Sequence, residues 1–316
     1  MSRKKSINRP VLTVTLNPAL DNTVYLLEFV RGKTNRVEKS TTDPGGKGVN
    51  VTKGLLNLNI DSLATGILPA AGSDVYLNLL REKDYPNHFL LLPDGKLRQN
   101  YKIIEQNGVL TEINEKGEQL SAEVVPYFLH FFSGLLEDCQ AVALSGSIPP
   151  GLPSTIYQQL IRLAADKSIL VALDFSGEPL IEALKLNHSS PVIIHLNREE
   201  IEEMGVDYDG EEIQVWAREH GINWLVITDG ENGGWAVTRA SIYKFQPPIV
   251  NVISPVAAGD VLLAALMEGF IYKKAFDKAL RFAVAYATAT TMAPGSSIAT
   301  KEQALKLVKC IKIIPG

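Results

Sequence analysis

Short apolar runs of strand type alternate with amphipathic stretches of helical period along most of this chain, and that alternation limits the fold more than any other feature. The runs Val11–Leu16, Ala141–Leu144, Ile169–Asp174, Val192–Leu196, Trp224–Thr228 and Val250–Ile253 are rich in Val, Ile and Leu. Such runs suit strands buried on both sides of a parallel sheet. Between them lie stretches such as Thr155–Lys167, where Ile156, Leu160, Leu163 and Ala164 share one helical face and Thr155 with Gln158 has capping-box spacing. From Gly259 to about Ile311 the pattern reads as three successive helices. The rhythm is that of repeated strand–helix–strand units, so the expected class is α/β with a parallel sheet.

Two stretches depart from it. Asn22–Ser40 and Leu91–Gly117 alternate apolar and polar residues at strand period, with turn signals at Gly32, Pro93-Asp94-Gly95 and Gly108. Both are expected to form solvated antiparallel hairpins inserted into the α/β body. A small sheet of this kind can cover a cleft as a lid or pair with another subunit, and surface decoration is the simpler alternative. With 316 residues, 46% hydrophobic and 21% charged, the chain has the composition of a globular protein and not of a disordered segment, a collagen-like fibre or a coiled coil. Its 31 Lys and Arg against 35 Asp and Glu leave a net charge of −4, which gives nucleic acid no general attraction. Cys139 and Cys310 are too few and too far apart for a disulfide framework or a thiolate metal site. The first apolar run stops at Asn17-Pro18, too short for a signal core or a membrane span, so a cytoplasmic location is expected. Residues 1–9 read as a disordered basic tail and 10–316 as one domain.

Two motifs carry chemistry. Pro44-Gly45-Gly46-Lys47-Gly48-Val49-Asn50-Val51 stands ahead of a helical run. Its glycines let backbone amides approach an anion, the helix N-terminus adds a favourable dipole, and Lys47 adds a charge. Alone, a glycine-rich entry to a helix is usually just a tight turn. Ser254-Pro255-Val256-Ala257-Ala258-Gly259-Asp260 follows a strand-like run and opens another helix. Small residues there would leave the amides of Ala258, Gly259 and Asp260 free as an anion hole, with the Asp260 carboxylate beside it. A base next to an anion hole is what phosphoryl transfer to an alcohol requires. An Asp in a first helical turn is also favoured by the dipole alone.

In this order and spacing the two motifs resemble those of the ribokinase-like sugar kinases, in particular the PfkB-type phosphosugar branch that contains 1-phosphofructokinase, tagatose-6-phosphate kinase and the minor 6-phosphofructokinase. Asn17-Pro18-Ala19-Leu20-Asp21, Ser145-Gly146-Ser147-Ile148-Pro149-Pro150-Gly151, Asp174-Phe175-Ser176-Gly177 and Asn197-Arg198-Glu199-Glu200 extend the resemblance, which runs from Val11 to about Ile311. It implies a three-layer α/β sandwich with a mostly parallel central sheet and a small β-sheet lid. It also implies ATP as co-substrate, Mg²⁺, and a homodimer through the lid sheets, with no membrane or nucleic-acid partner.

Residue by residue, the resemblance gives Asp260 the role of base, with Ala258 and Gly259 in the anion hole. Asp21, Gly45, Gly46, Lys47, Asn50, Arg98 and Ser147 would hold the phosphosugar, Arg98 reaching in from the lid with its fork on a phosphate, and Glu112 and Asn114 would either support it or serve the hairpin structurally. Thr228, Gly230, Gly233, Ala257, Gly259, Gly295 and Ser296 would seat the nucleotide, and Asn197 and Glu200 would organise Mg²⁺ through water. Without the resemblance, Asn197 to Glu200 reads as an N-cap with acidic first-turn residues, and Asp21 as an Asx-turn. Five positions depart from the family pattern. Ala257 stands where Gly is frequent and is tolerable if its φ is negative. His195-Leu196-Asn197 replaces Lys-Pro-Asn, Leu97 replaces a Thr, and Asp229 replaces an apolar residue. The histidines His88, His130, His188, His195 and His220 show no metal-binding spacing, and His195 reads as a strand-end histidine with satisfied hydrogen bonds.

The expected activity is ATP-dependent phosphorylation of a phosphorylated ketohexose, with fructose 1-phosphate first because Arg98, Asn100 and Lys102 followed by Thr111-Glu112-Ile113-Asn114 resemble 1-phosphofructokinase. Tagatose 6-phosphate and fructose 6-phosphate are alternative acceptors. A sugar-phosphate or nucleotide sensor without turnover is a more remote alternative.

Overall fold

The computed structural model describes residues 9–186 and 192–316. The basic tail expected before Pro10 therefore falls, up to Asn8, outside the described residues, as does His188. In chain order the first half contains β1 (Val11–Thr15), β2 (Ala19–Leu26), β3 (Lys39–Gly45), α1 (Lys47–Asn57), β4 (Ser62–Leu68), α2 (Ser73–Glu82), β5 (Leu90–Leu91), β6 (Arg98–Glu105), β7 (Leu110–Asn114) and α3 (Val124–Leu136). The second half contains β8 (Ala141–Ser145), α4 (Ile156–Ala165), β9 (Leu170–Asp174), α5 (Glu178–Leu184), β10 (Val192–Asn197), α6 (Arg198–Glu203), α7 (Gly210–Glu219), β11 (Trp224–Thr228), β12 (Gly234–Thr238) and β13 (Ile242–Gln246). It closes with α8 (Ala258–Ile271), α9 (Phe276–Thr291), α10 (Lys301–Leu307) and β14 (Lys312–Pro315).

Ten strands form one sheet in the order β14-β13-β12-β11-β10-β9-β8-β1-β4-β5, parallel from β11 to β5 and antiparallel from β11 to β14. Period-two alternation sorts its side chains onto two helical layers. Leu12, Val14, Val142, Leu144, Val171, Leu173, Ile194 and Ile227 pack with α3, α4, α5 and α7, whereas Val11, Ala141, Ala143, Ala172, Ile193 and Val226 pack with α1, α8 and α9. Each large apolar side chain buried in these layers contributes about 1.5–3 kcal/mol. The second layer is rich in small residues, and α1 approaches α8 closely there: a Cβ on Gly54 would lie 3.0 Å from that of Ala264.

That parity positions the site. Two residues beyond Thr13, Ala143, Ala172, Ile193 and Val226, the same face presents Thr15, Ser145, Asp174, His195 and Thr228. All five stand at the C-terminal ends of parallel strands, beneath the N-termini of α1 and α8. This edge is where open α/β sheets bind ligands.

The two hairpins form as expected and join into a separate four-stranded sheet, order β3-β2-β6-β7, through parallel pairing of β2 with β6. The boundaries differ. The lid strands start at Ala19 and Arg98, while Leu90–Leu91 pairs with β4 at the edge of the main sheet. Val250–Ile253 is not a strand. Pro247 and Pro248 precede it, Val252 and Ile253 are exposed, and the amides of Ile253 and Ser254 donate to Thr291 at the end of α9. The Thr155 capping box does not form either. Thr155 already has helical φ and ψ, and Gln158 reaches across to the Glu182 carbonyl at 2.6 Å. No helix among the described residues is long and apolar enough to cross a membrane.

Candidate active site

Close approach is what the glycines of the first motif provide. A Cβ on Gly45 would fall 2.4 Å from Cγ of Asp21, and one on Gly46, at φ 126°, would fall 2.5 Å from Cγ2 of Thr15. The turn thus sits directly on the end of β1 and on the first lid strand. The Thr15 hydroxyl accepts from the Val49 amide, and the Asn50 amide bonds back to Gly46, which leaves the amides of Lys47 and Gly48 without an acceptor among the described residues. A helix N-terminus in that state favours an anion.

Asp260 lies in the first turn of α8, 5% exposed, and its Oδ2 accepts from Nδ2 of Asn50 at 2.8 Å. The two motifs, 210 residues apart, are therefore hydrogen-bonded to each other. Burial, and then the negative charge of Asp174, pushes the Asp260 carboxyl up to about 7, against the pull of Lys47 and the Asn50 hydrogen bond. Asp174, at the end of β9, is the counterpart. Burial alone would raise its pKa, but Lys47 at 3.0 Å and His195 at 3.6 Å take it well below the usual carboxylate range. Asp174 in turn raises the pKa of Lys47. Of two adjacent buried carboxyls, one stays ionised and the other is poised near neutrality, an arrangement that marks acid–base sites.

The helix entry differs from expectation at two points. Ala257 has φ 63° and ψ 2°, a left-handed conformation that costs an L-residue about 1–2 kcal/mol, and not the negative φ that would make Ala harmless. The Ala258 amide is engaged by the Pro255 carbonyl at 3.3 Å, so the donors free of an acceptor among the described residues are those of Gly259 and Asp260. Gly259 has no room for a side chain: its Cβ would meet the His195 ring at 2.7 Å. His195 also bonds Thr228 through Nε2 at 3.1 Å, which ties β11 to Asp174.

On the lid side, Asp21 is 5% exposed and accepts from Lys102 at 2.7 Å and from Asn100 at 2.9 Å. Arg98 spends its fork on the carbonyls of Asn17 and Glu115, both at 3.0 Å. Asn114 and Glu112 pair in register with Asn100 and Lys102 in the lid sheet. Ser147 accepts from Asn17 at 3.1 Å beside Gly146, which faces Lys47.

Asn197 and Glu200 form a reciprocal capping box at the end of β10, each amide donating to the other's side chain at 2.8 Å. The remaining Glu200 oxygen accepts from Ser176 at 3.1 Å. Among the described residues no group of three or more His, Cys, Asp or Glu could hold a metal alone. The oxygens of Glu200 and the buried, unpartnered Oδ2 of Asp174 do suit Mg²⁺, which takes one or two carboxylates, keeps its waters and shares phosphate oxygens. Gly230 and Gly233 form the turn after Thr228. Gly233 is dictated by packing, since a Cβ there would strike the Phe245 carbonyl at 1.9 Å. Asp229 staples that turn by accepting from Arg198 and Asn232, both at 3.3 Å. Gly295 and Ser296 lie in the turn after α9, where the Gly295 carbonyl accepts from Ser254 at 2.8 Å. A Cβ on Gly295 would lie 3.8 Å from the Thr23 hydroxyl, so this turn reaches the lid.

Motif reading identified the two helix entries but gave no role to Asp174, Lys53 or Lys102. Asp174 had a signal, a lone acid closing an apolar strand. Lys102 had one in its spacing from Arg98 and Asn100, though not its pairing with Asp21, and Lys53 had none, because a lysine in a helix pattern reads as a solvated position.

Residues 14–303 match the pfkB family carbohydrate kinases. Among solved structures, a possible 1-phosphofructokinase from Thermotoga maritima superimposes with a TM-score of 0.86 at 25% identity, covering 97% of this chain and 99% of that one. Phosphofructokinase-2 from Escherichia coli, in complex with potassium, gives 0.86 at 22% identity over 95% and 98% of the two chains. Ribokinase from Arabidopsis thaliana, complexed with ribose and ATP, gives 0.71 at 21% identity over 95% and 99%.

Proposed function

Since the chain belongs to the pfkB family of carbohydrate kinases, we propose that it transfers the γ-phosphoryl group of ATP to a hydroxyl of a phosphorylated ketohexose in the cytoplasm, fructose 1-phosphate being the first acceptor to test. The observation that carries this reading is Asp260: a carboxyl buried at a helix N-terminus, poised near pH 7 and oriented by the Asn50 amide of the other helix entry. The acceptor hydroxyl gives its proton to Asp260 as its oxygen forms a bond to the γ-phosphorus. The bond from that phosphorus to the bridging oxygen breaks, and ADP leaves with the electron pair. The Gly259 and Asp260 amides hold the charge of the transferring group, and Lys47, paired with Asp174, lies between the two reactants. Glu200 and Asp174, with Asn197 through water, would hold Mg²⁺, which would neutralise nucleotide phosphate charge there.

On the acceptor side Asp21 takes two sugar hydroxyls, the free amides of Lys47 and Gly48 meet the existing phosphate, and Arg98 exchanges its backbone carbonyls for that phosphate. Thr228, Gly230, Gly233, Gly295 and Ser296 line the nucleotide side. Tyr101 and Ile113, paired in the lid sheet and exposed, support a homodimer through that sheet, which light scattering tests. The activity is tested by coupled ADP release with fructose 1-phosphate, fructose 6-phosphate, tagatose 6-phosphate and free fructose, beside Asp260→Asn. Turnover on one phosphosugar that vanishes in the variant is expected, and turnover confined to free fructose would overturn the phosphorylated acceptor.

A further inference from the structure

Lys53 lies one turn after Asn50 on α1, with its side chain buried, 5% exposed overall. Its ammonium donates to the Asn50 Oδ1 at 3.0 Å and to the Pro44 carbonyl at 3.1 Å, and no carboxylate among the described residues pairs with it. The nearest acids are taken: Asp21 by Lys102 and Asp43 by Lys83. A buried cation without an anionic partner is costly, and a Met of similar length would fill the space more cheaply. Stability therefore does not explain it.

Its hydrogen bonds do. An ammonium only donates, so the amide face that meets Lys53 has to be the Asn50 oxygen. The Asn50 nitrogen is then turned to the other side, where it donates to Oδ2 of Asp260 at 2.8 Å. Reversed, the amide would present its oxygen to a carboxylate, two acceptors would face each other, and Asp260 could relieve the clash only by staying protonated. We propose that Lys53 sets the polarity of the Asn50 amide and thereby reserves Oδ1 of Asp260 for the proton of the acceptor hydroxyl. Lys53 is a positioning residue; it touches no reactant. This inference rests on Asp260 being the base.

The other charges are accounted for. Facing Asp260 are Asp174 from β9, Lys47 from α1 and, across Gly259, His195 from β10. Facing Lys53 are Asp43 of β3, Asp21 of β2, Lys83 after α2 and Lys102 of β6, and burial brings its own pKa down to about 8.

The test is the split between kcat and KM at saturating substrates. Lys53→Met is expected to lower kcat about tenfold, a fraction of what removing a general base costs, with KM for ATP unchanged and kcat restored in Lys53→Arg, which keeps a donor toward Asn50. A folded Lys53→Met with wild-type kcat overturns the proposal, since a purely structural lysine moves thermal stability and leaves the kcat of the folded enzyme alone. If Lys53→Met does not fold, Lys53→Gln, which keeps the length without the obligatory donor, is read in the same way: a lowered kcat at unchanged KM for ATP supports the relay, and a wild-type kcat overturns it. Asp260→Asn with wild-type turnover would instead bring down the base assignment on which the relay depends.

Discussion

The proposed acceptor and nucleotide halves of the site are built by opposite strategies. On the acceptor side nearly every polar group is buried and already paired: Asp21 with Lys102 and Asn100, Asn50 with Lys53 and Asp260, Asn17 with Ser147. On the nucleotide side the chain runs through exposed turns, with Ile249, Val252, Ile253 and Met292 facing outward and polar staples such as Arg198–Asp229 in contact with water. Pairing in advance fixes geometry before substrate arrives, so little ordering remains to be done at the reacting centre. Open turns leave the donor side tolerant of change. Substitutions in the first half should therefore cost far more than substitutions in the second.

Asp260→Asn is the largest expected effect, a loss of about 10² to 10⁴ in kcat, the range for removing a general base. It also has a stability counterpart of opposite sign. The folded pKa of Asp260 is raised to about 7, so between that pH and the ordinary carboxylate range near about 4 the native state binds a proton the unfolded chain lacks. Wild-type stability on this account is highest below about pH 4 and falls as pH rises toward about 7. The variant avoids that loss. Its melting temperature should exceed the wild type's at pH 8, corresponding to about 4 kcal/mol, and the gap should close on titration to pH 4. A variant less stable at pH 8 would show that Asp260 is not held against its own charge.

The sequence carried β1, β8, β9, β10 and β11, the C-terminal helices, both hairpins and the two helix entries, because each is written in local periodicity or local glycine chemistry. It did not carry the parallel pairing of β2 with β6, since hydrogen bonds between distant strands leave no mark on either strand's alternation. Val250–Ile253 misled because an apolar run has strand composition whether or not a neighbour pairs with it. Ala257 misled because a residue's own identity does not reveal that the fold holds it at φ 63°. Asp174 acquires its meaning only from Lys47 and Asp260, which approach it from other elements.

Asp21→Asn is expected next. It leaves the Lys102 ammonium buried beside a neutral amide, and breaking a buried pair from one side costs about 3–5 kcal/mol. KM for the phosphosugar should rise at least about tenfold while KM for ATP stays within about twofold, as expected when uniform binding is lost on one substrate alone. Equal changes in both constants would erase the distinction between the halves.

Ala257→Gly should act in the other direction. The left-handed φ at the entry to α8 stores about 1 kcal/mol in an L-residue, and glycine releases it while losing some in chain entropy. A gain of about 0.5–1 kcal/mol in urea unfolding is expected. A loss would mean that the Ala257 methyl packs well enough to offset its backbone.

Asp229→Leu should have the smallest effect. Asp229 accepts from Arg198 across the mouth of the nucleotide side, but the Arg198 side chain is 46% exposed and also bonded to Glu202. Exposed pairs of this kind contribute about 0–1 kcal/mol, because water and salt screen them and two flexible side chains are ordered to form them. Arg198 would keep Glu202 and its stacking on the Tyr208 ring. The turn itself is held by the Asp229 amide bonding to the Gly233 carbonyl at 2.8 Å, which the substitution leaves intact. Urea unfolding and KM for ATP, measured at low and high salt, should therefore differ little from wild type in either condition. A large rise in KM for ATP would show that this staple preorganises the nucleotide turn as tightly as Lys102 holds Asp21, and the two halves would then share one design.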